Sequence, residues 1–417
     1  MTKFKYLVVL ISLFASYRLS AQTTIEAYRS EVVAYSHELQ ISNIEIDRSK
    51  VNMERAKKGY LPTMALSSER SLALRRKGEG KLVSDYMQLG VSQMIYQGSA
   101  AHSAAKQATI LHERSMVDEE LVYMEVCYAA DAAYWRLSCA EALRAIVGEY
   151  AAAIDSLRGV VKRRFDEGYS AKGDLLQVES RMSDAHYRLS QAEQSYVIAI
   201  HDYNSLRGAE LNASVALGNT IFEAVPIPKR VDLQTLIQQH PLCRRSSLQS
   251  EYARWGITSM RAPYLPAIKL DVYGAVTPKY ASPNGEILNG AVVLTISTPI
   301  FHFGERHLAV RSAKMVYLEE QLRSDEVVDD IVRDEADAWT NLVNSHRRVE
   351  AAQSSLDIAR ENLEMSIFSY SEGMATILDV LQAQISWLQI YENVVAAYYD
   401  YAMAHVVYDY VTAKDKR

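Results

Sequence analysis

Between residues 305 and 372 the chain runs 68 residues without a proline or a glycine. Alanine, glutamate, leucine and arginine are abundant there, so the stretch reads as helix. At 1.5 Å per residue it would extend about 100 Å. A helix of that length is not the wall of a compact globule. It belongs to a coiled coil or a helical barrel. Residues 22–58, 174–207 and 374–417 also lack both breakers, and 100–165 is interrupted only by Gly148 and Gly159. All nine prolines fall outside these stretches.

An apolar seam runs through two of the stretches. Leu175, Val178, Met182, Ala185, Leu189, Ala192, Tyr196, Ala199, Tyr203 and Leu206 follow spacings of three and four. So do Val380, Ala383, Trp387, Ile390, Val394, Ala397, Tyr401, Ala404, Tyr408 and Val411. A seven-residue apolar repeat of this kind implies left-handed supercoiling. Taken singly, each of these residues is simply core.

The two seams are one seam repeated, since each position of the second lies 205 residues beyond its partner in the first. Glu167-Gly168 recurs as Glu372-Gly373, Asp174 as Asp379, and Leu176-Gln177 as Leu381-Gln382. Tyr60-Leu61-Pro62 recurs as Tyr264-Leu265-Pro266, and Gly98 as Gly304. Identities in order at near-constant offset are the mark of internal duplication. The expected units are a first repeat over residues 22–210, a linker over 211–232 and a second repeat over 233–417. Each has a helix ending at Tyr-Leu-Pro, two extended runs, and a helical hairpin opened by a glycine. The strands are expected at 63–75 and 84–97, then at 267–278 and 287–300. The hairpins are expected at 99–207 and 304–413.

The extended runs alternate. Ile268, Leu270, Val272 and Val276 oppose Lys269, Asp271 and Thr277, and Leu288, Val292, Leu294 and Ile296 oppose Asn289, Ala291, Thr295 and Ser297. The first copy is weaker: Met64 and Leu66 oppose Ser67 and Glu69, and Met87, Leu89 and Val91 oppose Gln88, Gly90 and Ser92. Such alternation fits a strand between lipid and water, and equally a sheet lying on a soluble core.

The chain start favours the first. Lys3 and Lys5 precede an apolar run over residues 7–15, and Ser20-Ala21 offers small residues for cleavage, so 1–21 reads as a secretion signal. No cysteine stands near this junction to carry a lipid anchor. No later segment has the roughly 20 uninterrupted apolar residues of a membrane helix. Membrane residence must then be as a β-barrel, because open strands cannot cross lipid. Four strands cannot close a barrel, which takes about eight or more, so several chains must share one sheet.

Little else is encoded. The net charge of −6 with both signs interspersed excludes a nucleic-acid footprint. Cys127 and Cys139 stand twelve apart on one expected helix, too far to bond, and Cys243 is alone. Gly168 to Gly173 has P-loop spacing, but Asp174 stands where the lysine is required. No zinc-protease, paired-cysteine or nucleophile-elbow motif occurs, so neither an enzyme nor a cofactor or metal site is expected. His302 and His307 flank Gly304 without the carboxylate or thiol support that a metal needs, and read as interfacial or capping residues.

Each copy also carries the turn aromatic-x-Glu-Gly-x5-Asp-[Leu/Val]-Leu-Gln, as residues 165–177 and 370–382. With the Tyr-Leu-Pro before each strand pair and the glycine after it, the sequence resembles the TolC-type outer-membrane efflux protein family over nearly all its length. The resemblance implies a mainly α chain with a membrane β-barrel portion. Coiled-coil α-hairpins form a trimeric α-barrel, and a homotrimer shares one twelve-stranded β-barrel in outer-membrane lipid. It implies a passive exit duct of a tripartite efflux or type I secretion system, reaching from the outer membrane into the periplasm. The implied partners are a periplasmic adaptor and an inner-membrane pump of the RND or ABC type.

By the same resemblance, the hairpin turns are the entrance. Asp379 matches an acidic position of the constriction, and its companion is Gln382 here. Asp174 and Tyr370 match members of a closing network whose basic partner is replaced by Ala375. Gly168, Gly373, Glu167 and Glu372 are the expected adaptor-contacting tip residues. Elementary chemistry reads Asp174 and Asp379 as first-turn carboxylates that accept free N–H groups, and the two glycines as C-caps. Two rival readings are a periplasmic adaptor and a structural coiled-coil surface protein. The tandem duplication weighs against the first, and the proline-bounded strands are unexplained by the second.

Overall fold

The computed structural model describes residues 23–73, 82–223, 225–277 and 287–414. The secretion signal expected over 1–21 lies outside these residues. In chain order the elements are α1 (Ile25–Tyr35), α2 (His37–Lys57), β1 (Thr63–Ala73), β2 (Leu82–Gln97), α3 (Ala100–Asp166), α4 (Lys172–Leu206), α5 (Leu233–Gln239), α6 (Pro241–Arg261), β3 (Ala267–Thr277), β4 (Ile287–Ser297), α7 (Glu305–Ser371) and α8 (Ile377–Val411). The duplication is written in the element lengths. Helices α3 and α7 have 67 residues each, and α4 and α8 have 35 each.

The chain separates into two compact units that cut across the repeats. Among the described residues, one comprises 23–40, 120–223, 225–240 and 330–414; the other comprises 41–73, 82–119, 241–277 and 287–329. The first holds the hairpin turns, the linker and most of the core. Its largest fully buried side chains include Tyr28, Tyr134, Tyr150, Tyr203, Tyr408 and Leu388. Both long-helix ends are closed by the same device. Gly168 and Gly373 sit at φ +82° and +74°. Tyr169 N–H donates to Arg164 C=O at 2.7 Å, and Met374 N–H donates to Ser369 C=O at 2.8 Å. These 6→1 bonds complete a Schellman cap, which uses the left-handed residue that glycine supplies without strain.

Within this unit the linker is pinned to both hairpins. Tyr134 OH donates to Thr23 C=O at 3.0 Å and accepts from Asn219 N–H at 3.0 Å. Tyr401 OH donates to Val225 C=O, and Tyr408 OH accepts from Val231 N–H at 3.1 Å. Tyr28 stacks on Tyr203 with centroids 3.8 Å apart. Two buried carboxylates stand at equivalent positions of the long helices. Asp131 pairs with Arg29 of α1, and Glu335 pairs with Arg230 of the linker. Each is followed four residues later by a tryptophan, Trp135 and Trp339.

The second unit holds the sheet. Its four antiparallel strands run in the order β1-β2-β3-β4. Each repeat contributes one hairpin, and β2 joins β3 across the repeats. Proline starts each pair. Pro62 and Pro266 force the preceding Leu61 and Leu265 into extended conformation (ψ 152° and 160°), which ends the helix and launches the strand. Gly98 closes tightly beneath β2 at φ +55°, where a Cβ would stand 2.4 Å from Ala262 C=O. This unit has almost no core of its own. Among its described residues, Ile110 and Val117 are the only large aliphatic or aromatic side chains that are buried.

Candidate functional site: a two-faced sheet and paired hairpin turns

The register assigns every described strand residue to a face. Val91, Val272, Val292 and Met64 share one rung, Leu89 and Leu66 the next, and Met87 and Val276 the one after. Leu270 with Leu294, and Ile268 with Ile296, complete this face at the end nearest the helices. It is mostly apolar, with Gln93 opposite Leu270, Ser68 opposite Met87 and Arg70 towards the far end of β1 as its polar members, and it is open to its surroundings, with Val292 70% and Leu294 58% exposed. The side chains of Thr277 and Leu288 lie outside the described residues.

The opposite face is wet. Ser92 Oγ donates to Asp271 Oδ1 at 2.7 Å, and Lys269 Nζ lies 2.9 Å from the same carboxylate. Tyr86 OH donates to Glu69 at 2.9 Å, and Gln88 stands opposite Ala275. Tyr273, Val293 and Met94 are the large apolar exceptions on this face. A bulge between Met94 and Tyr96 turns β2 by one residue, so that Tyr96 comes beside Ile268. One face therefore suits hydrocarbon and the other suits water and solutes. This separation of a lipid side from an aqueous side is what a membrane strand requires.

At the hairpin turns, the two aspartates are bound locally. Asp379 Oδ2 accepts from Thr376 N–H at 2.8 Å and from Thr376 Oγ1 at 2.7 Å, while Asp379 N–H donates to Thr376 Oγ1 at 3.3 Å. This is a full capping box at the start of α8. The hydroxyl and backbone amide of Thr376 hold the Asp379 carboxyl below the usual aspartate range. Asp174 Oδ2 accepts from Ser170 Oγ at 2.9 Å and from Ala171 N–H at 3.3 Å. With Ala171 at the N-cap, no side chain answers the Asp174 amide, which bonds the Ala171 carbonyl instead. The structure does not join Asp174 to Tyr370. The Tyr370 ring lies under the guanidinium of Arg164, 4.8 Å from the ring centroid. Gln382 is exposed and reaches Ser386 Oγ at 3.5 Å. Glu167, Gly168, Glu372 and Gly373 are all exposed.

The described residues contain no group of three or more metal-ligating side chains. His302 packs edge-on against Tyr264. A hollow of about 510 Å³ in the first unit is lined by Cys139, Leu143, Arg188, Ala192 and Glu392, among others. Burial pushes the Cys139 thiol up to about 11, so it is an inert small side chain there.

A sequence profile described as outer membrane efflux protein matches residues 28–208 and 233–406, one match per repeat. The chain belongs to this family. It is a channel protein of the outer membrane that reaches into the periplasm, and it is not an enzyme. Among its relatives, the alkaline protease secretion protein AprF of Pseudomonas aeruginosa is 23% identical over 58% of this chain and 52% of AprF. The chain thus spans about half the length of that protein. The outer membrane protein TolC of Vibrio cholerae is 22% identical over 79% of this chain and 77% of TolC. Among solved structures, the CusC channel superposes with a TM-score of 0.83 at 15% identity, covering 94% of this chain and 92% of CusC. That likeness fixes the fold.

Of the residues singled out from sequence, the structure gathers Asp379 with Thr376, Asp174 with Ser170, and Tyr370 with Arg164. Arg164 was missed, because nothing in a basic residue near a helix C-terminus distinguishes it from an ordinary complement to the helix dipole. Asp131 and Glu335 were missed too. Their signal was present as an acid four residues before tryptophan at equivalent places in both repeats.

Proposed function

We propose that three copies of this chain form the exit duct of a tripartite efflux or secretion system. Their sheets close one twelve-stranded barrel in outer-membrane lipid, and energy comes from an inner-membrane RND or ABC pump. The observation that carries this is the sheet itself. It is mostly apolar on one face, wet on the other, and ends in the unpaired edges β1 and β4. An unpaired edge in hydrocarbon costs several kcal/mol per group, so β4 of one copy must pair with β1 of the next.

The helices that continue those edges carry matching stripes. Ile41, Ile44 and Val51 are exposed on α2, and Leu308, Met315 and Leu322 are exposed on α7 at seven-residue spacing. Seven-residue apolar spacing is a coiled-coil seam awaiting a partner helix. The hairpin turns form the periplasmic entrance. Asp379 and Gln382 line it, and Asp174 and Tyr370 set its resting shape. Gly168 and Gly373 shape the turn tips, and Glu167 and Glu372 meet the periplasmic adaptor there.

The test sets the two faces against each other. Val292→Arg places a cation in lipid, which costs about 2–4 kcal/mol at mid-bilayer. It should abolish a species of three chain masses in native mass spectrometry from mild detergent. Lys269→Gln on the wet face should leave that mass intact and alter the ion selectivity of the pore in a planar bilayer. Intact assembly in Val292→Arg, or a water-soluble monomer in the wild type, refutes the duct.

A further inference from the structure

We infer that the hollow between α3, α4 and α8 is a binding site for an organic cation with an apolar body. Glu392 takes the charge, and the surrounding wall takes the body. The hollow lies within one chain and one unit, so the site does not depend on the reading of the protein as a duct.

Its size suits a small molecule. About 510 Å³ falls in the range of pockets that bury most of a drug-sized ligand, whereas packed helices ordinarily leave few voids larger than a water. The wall is mainly apolar. Leu143 and Val147 come from α3, Ala192 and Ile198 from α4, and Tyr399 adds an aromatic ring from α8. Alanine at 192 leaves space that a larger side chain would fill.

Charge selects the class of ligand. Arg136, Arg188, Asp202 and Glu392 reach the hollow. Arg136 Nη1 pairs with Asp202 Oδ2 at 3.3 Å, and Arg188 Nε donates to Asp184 Oδ2 at 3.0 Å, so both guanidinium groups are engaged. Among the described residues Glu392 has no ion-pair or hydrogen-bond partner, and it is half-buried. Burial pushes its carboxyl above the ordinary glutamate value, and the opposing pull of Arg188 does not cancel the rise. A carboxylate that has lost water without gaining a partner is stabilised by a cation that enters beside it. The Tyr150 hydroxyl stands in the field of Arg188 and Glu392 and is itself buried without a partner, a second unanswered polar group at this place. The combination is not a by-product of the duplication. The positions equivalent to Leu143 and Glu392 are Arg347 and Tyr187, which supply neither the apolar wall nor the acid.

The experiment is fluorescence polarisation with the purified full-length protein in mild detergent, with assembly of each variant checked by native mass spectrometry. The probe is rhodamine 6G, an apolar cationic xanthene dye, and its counterpart is fluorescein, an anion on the same ring system. Rhodamine 6G should bind saturably, one dye to each chain, and fluorescein should not. Glu392→Gln keeps the shape and removes the charge, and should weaken rhodamine 6G by about tenfold or more, the worth of a hydrogen bond to a charged group. Ala192→Trp fills the hollow and should abolish binding. Glu193→Gln removes the same charge from the exposed side of α4, outside the hollow, and should bind as the wild type does.

A Glu392→Gln protein that binds rhodamine 6G as tightly as the wild type would overturn the site. So would equal weakening by Glu193→Gln, which would make the attraction a general surface effect, or fluorescein binding as tightly as rhodamine 6G. Absence of saturable binding to the wild type overturns it too. A wild-type mass of one chain refutes the duct instead, and the dye measurement is read separately from it.

Discussion

The Glu335 carboxylate is fully buried on α7, and its compensation comes from one residue of the linker. Arg230 Nε and Nη2 reach its two oxygens at 3.0 and 2.7 Å. Arg230→Ala would leave a charge with no partner in that place. Breaking a buried pair from one side costs about 3–5 kcal/mol. The Arg230 side chain is itself 45% exposed, so water can reach the vacated site, and the lower end applies. About 3 kcal/mol is a little over two decades in an opening equilibrium. The opening is local, since Arg230 ties the linker to a helix and Val231 N–H is fastened beside it to Tyr408 OH. Hydrogen exchange of the Val231 amide at pH 7 therefore reads the effect directly, where global unfolding of an assembled channel would not be two-state. Exchange should accelerate by about a hundredfold in Arg230→Ala. Glu335→Gln keeps the acceptor and removes the charge, and should accelerate it only by a few-fold, near 1 kcal/mol. The decisive variant combines the two. If the buried charge is what matters, Glu335→Gln should recover most of the protection lost in Arg230→Ala. A double variant as open as Arg230→Ala alone would refute that reasoning and leave lost side-chain packing as the cause.

Other consequences are as direct. Gly98→Ala should impair folding more than Gly304→Ala, although the two are equivalent in the repeats. Both have positive φ, but a Cβ at 98 meets Ala262 C=O at 2.4 Å while one at 304 meets nothing within 4 Å; heat stability of the detergent-extracted protein would show the order. Thr376→Ala removes the hydroxyl at the α8 N-cap and should loosen that first turn with no effect at the α4 start, as read by amide exchange at the two turns. The Asp379 carboxyl is depressed in the folded chain, so its contribution is present above the ordinary aspartate value and is lost as pH falls through the lower folded value. A carboxyl titration of Asp379 by NMR should therefore move upward in Thr376→Ala.

Much of this was legible in the sequence, for physical reasons. Breaker-free stretches and a seven-residue seam can only be long packed helices, and the positions of Tyr-Leu-Pro force strands to begin where they do. Alternation is read without ambiguity where both faces are distinct, as at Leu270 to Val272, and weakly where serine and methionine share a strand, as in β1. What the seam could not reveal is which of its members also act as polar anchors. Tyr401 and Tyr408 fit the apolar repeat as well as Val394 does. Only the folded linker shows that their hydroxyls answer Val225 and Val231. The two turn aspartates share a motif, yet their surroundings differ because Thr376 and Ala171 stand at the respective N-caps. The Arg164–Tyr370 contact joins residues of different repeats, and no local pattern reports such a meeting.

The order of the strands has a bearing on timing. The bond from Ser92 to Asp271 closes a loop of 179 residues, and the whole β2–β3 pairing is of that kind. Pairings so distant along the chain form late. The first strand hairpin is delivered long before its partner exists, with an edge exposed and an oily face uncovered. A newly exported chain therefore spends its journey half made. The step that ends this vulnerable interval is the arrival of the second repeat.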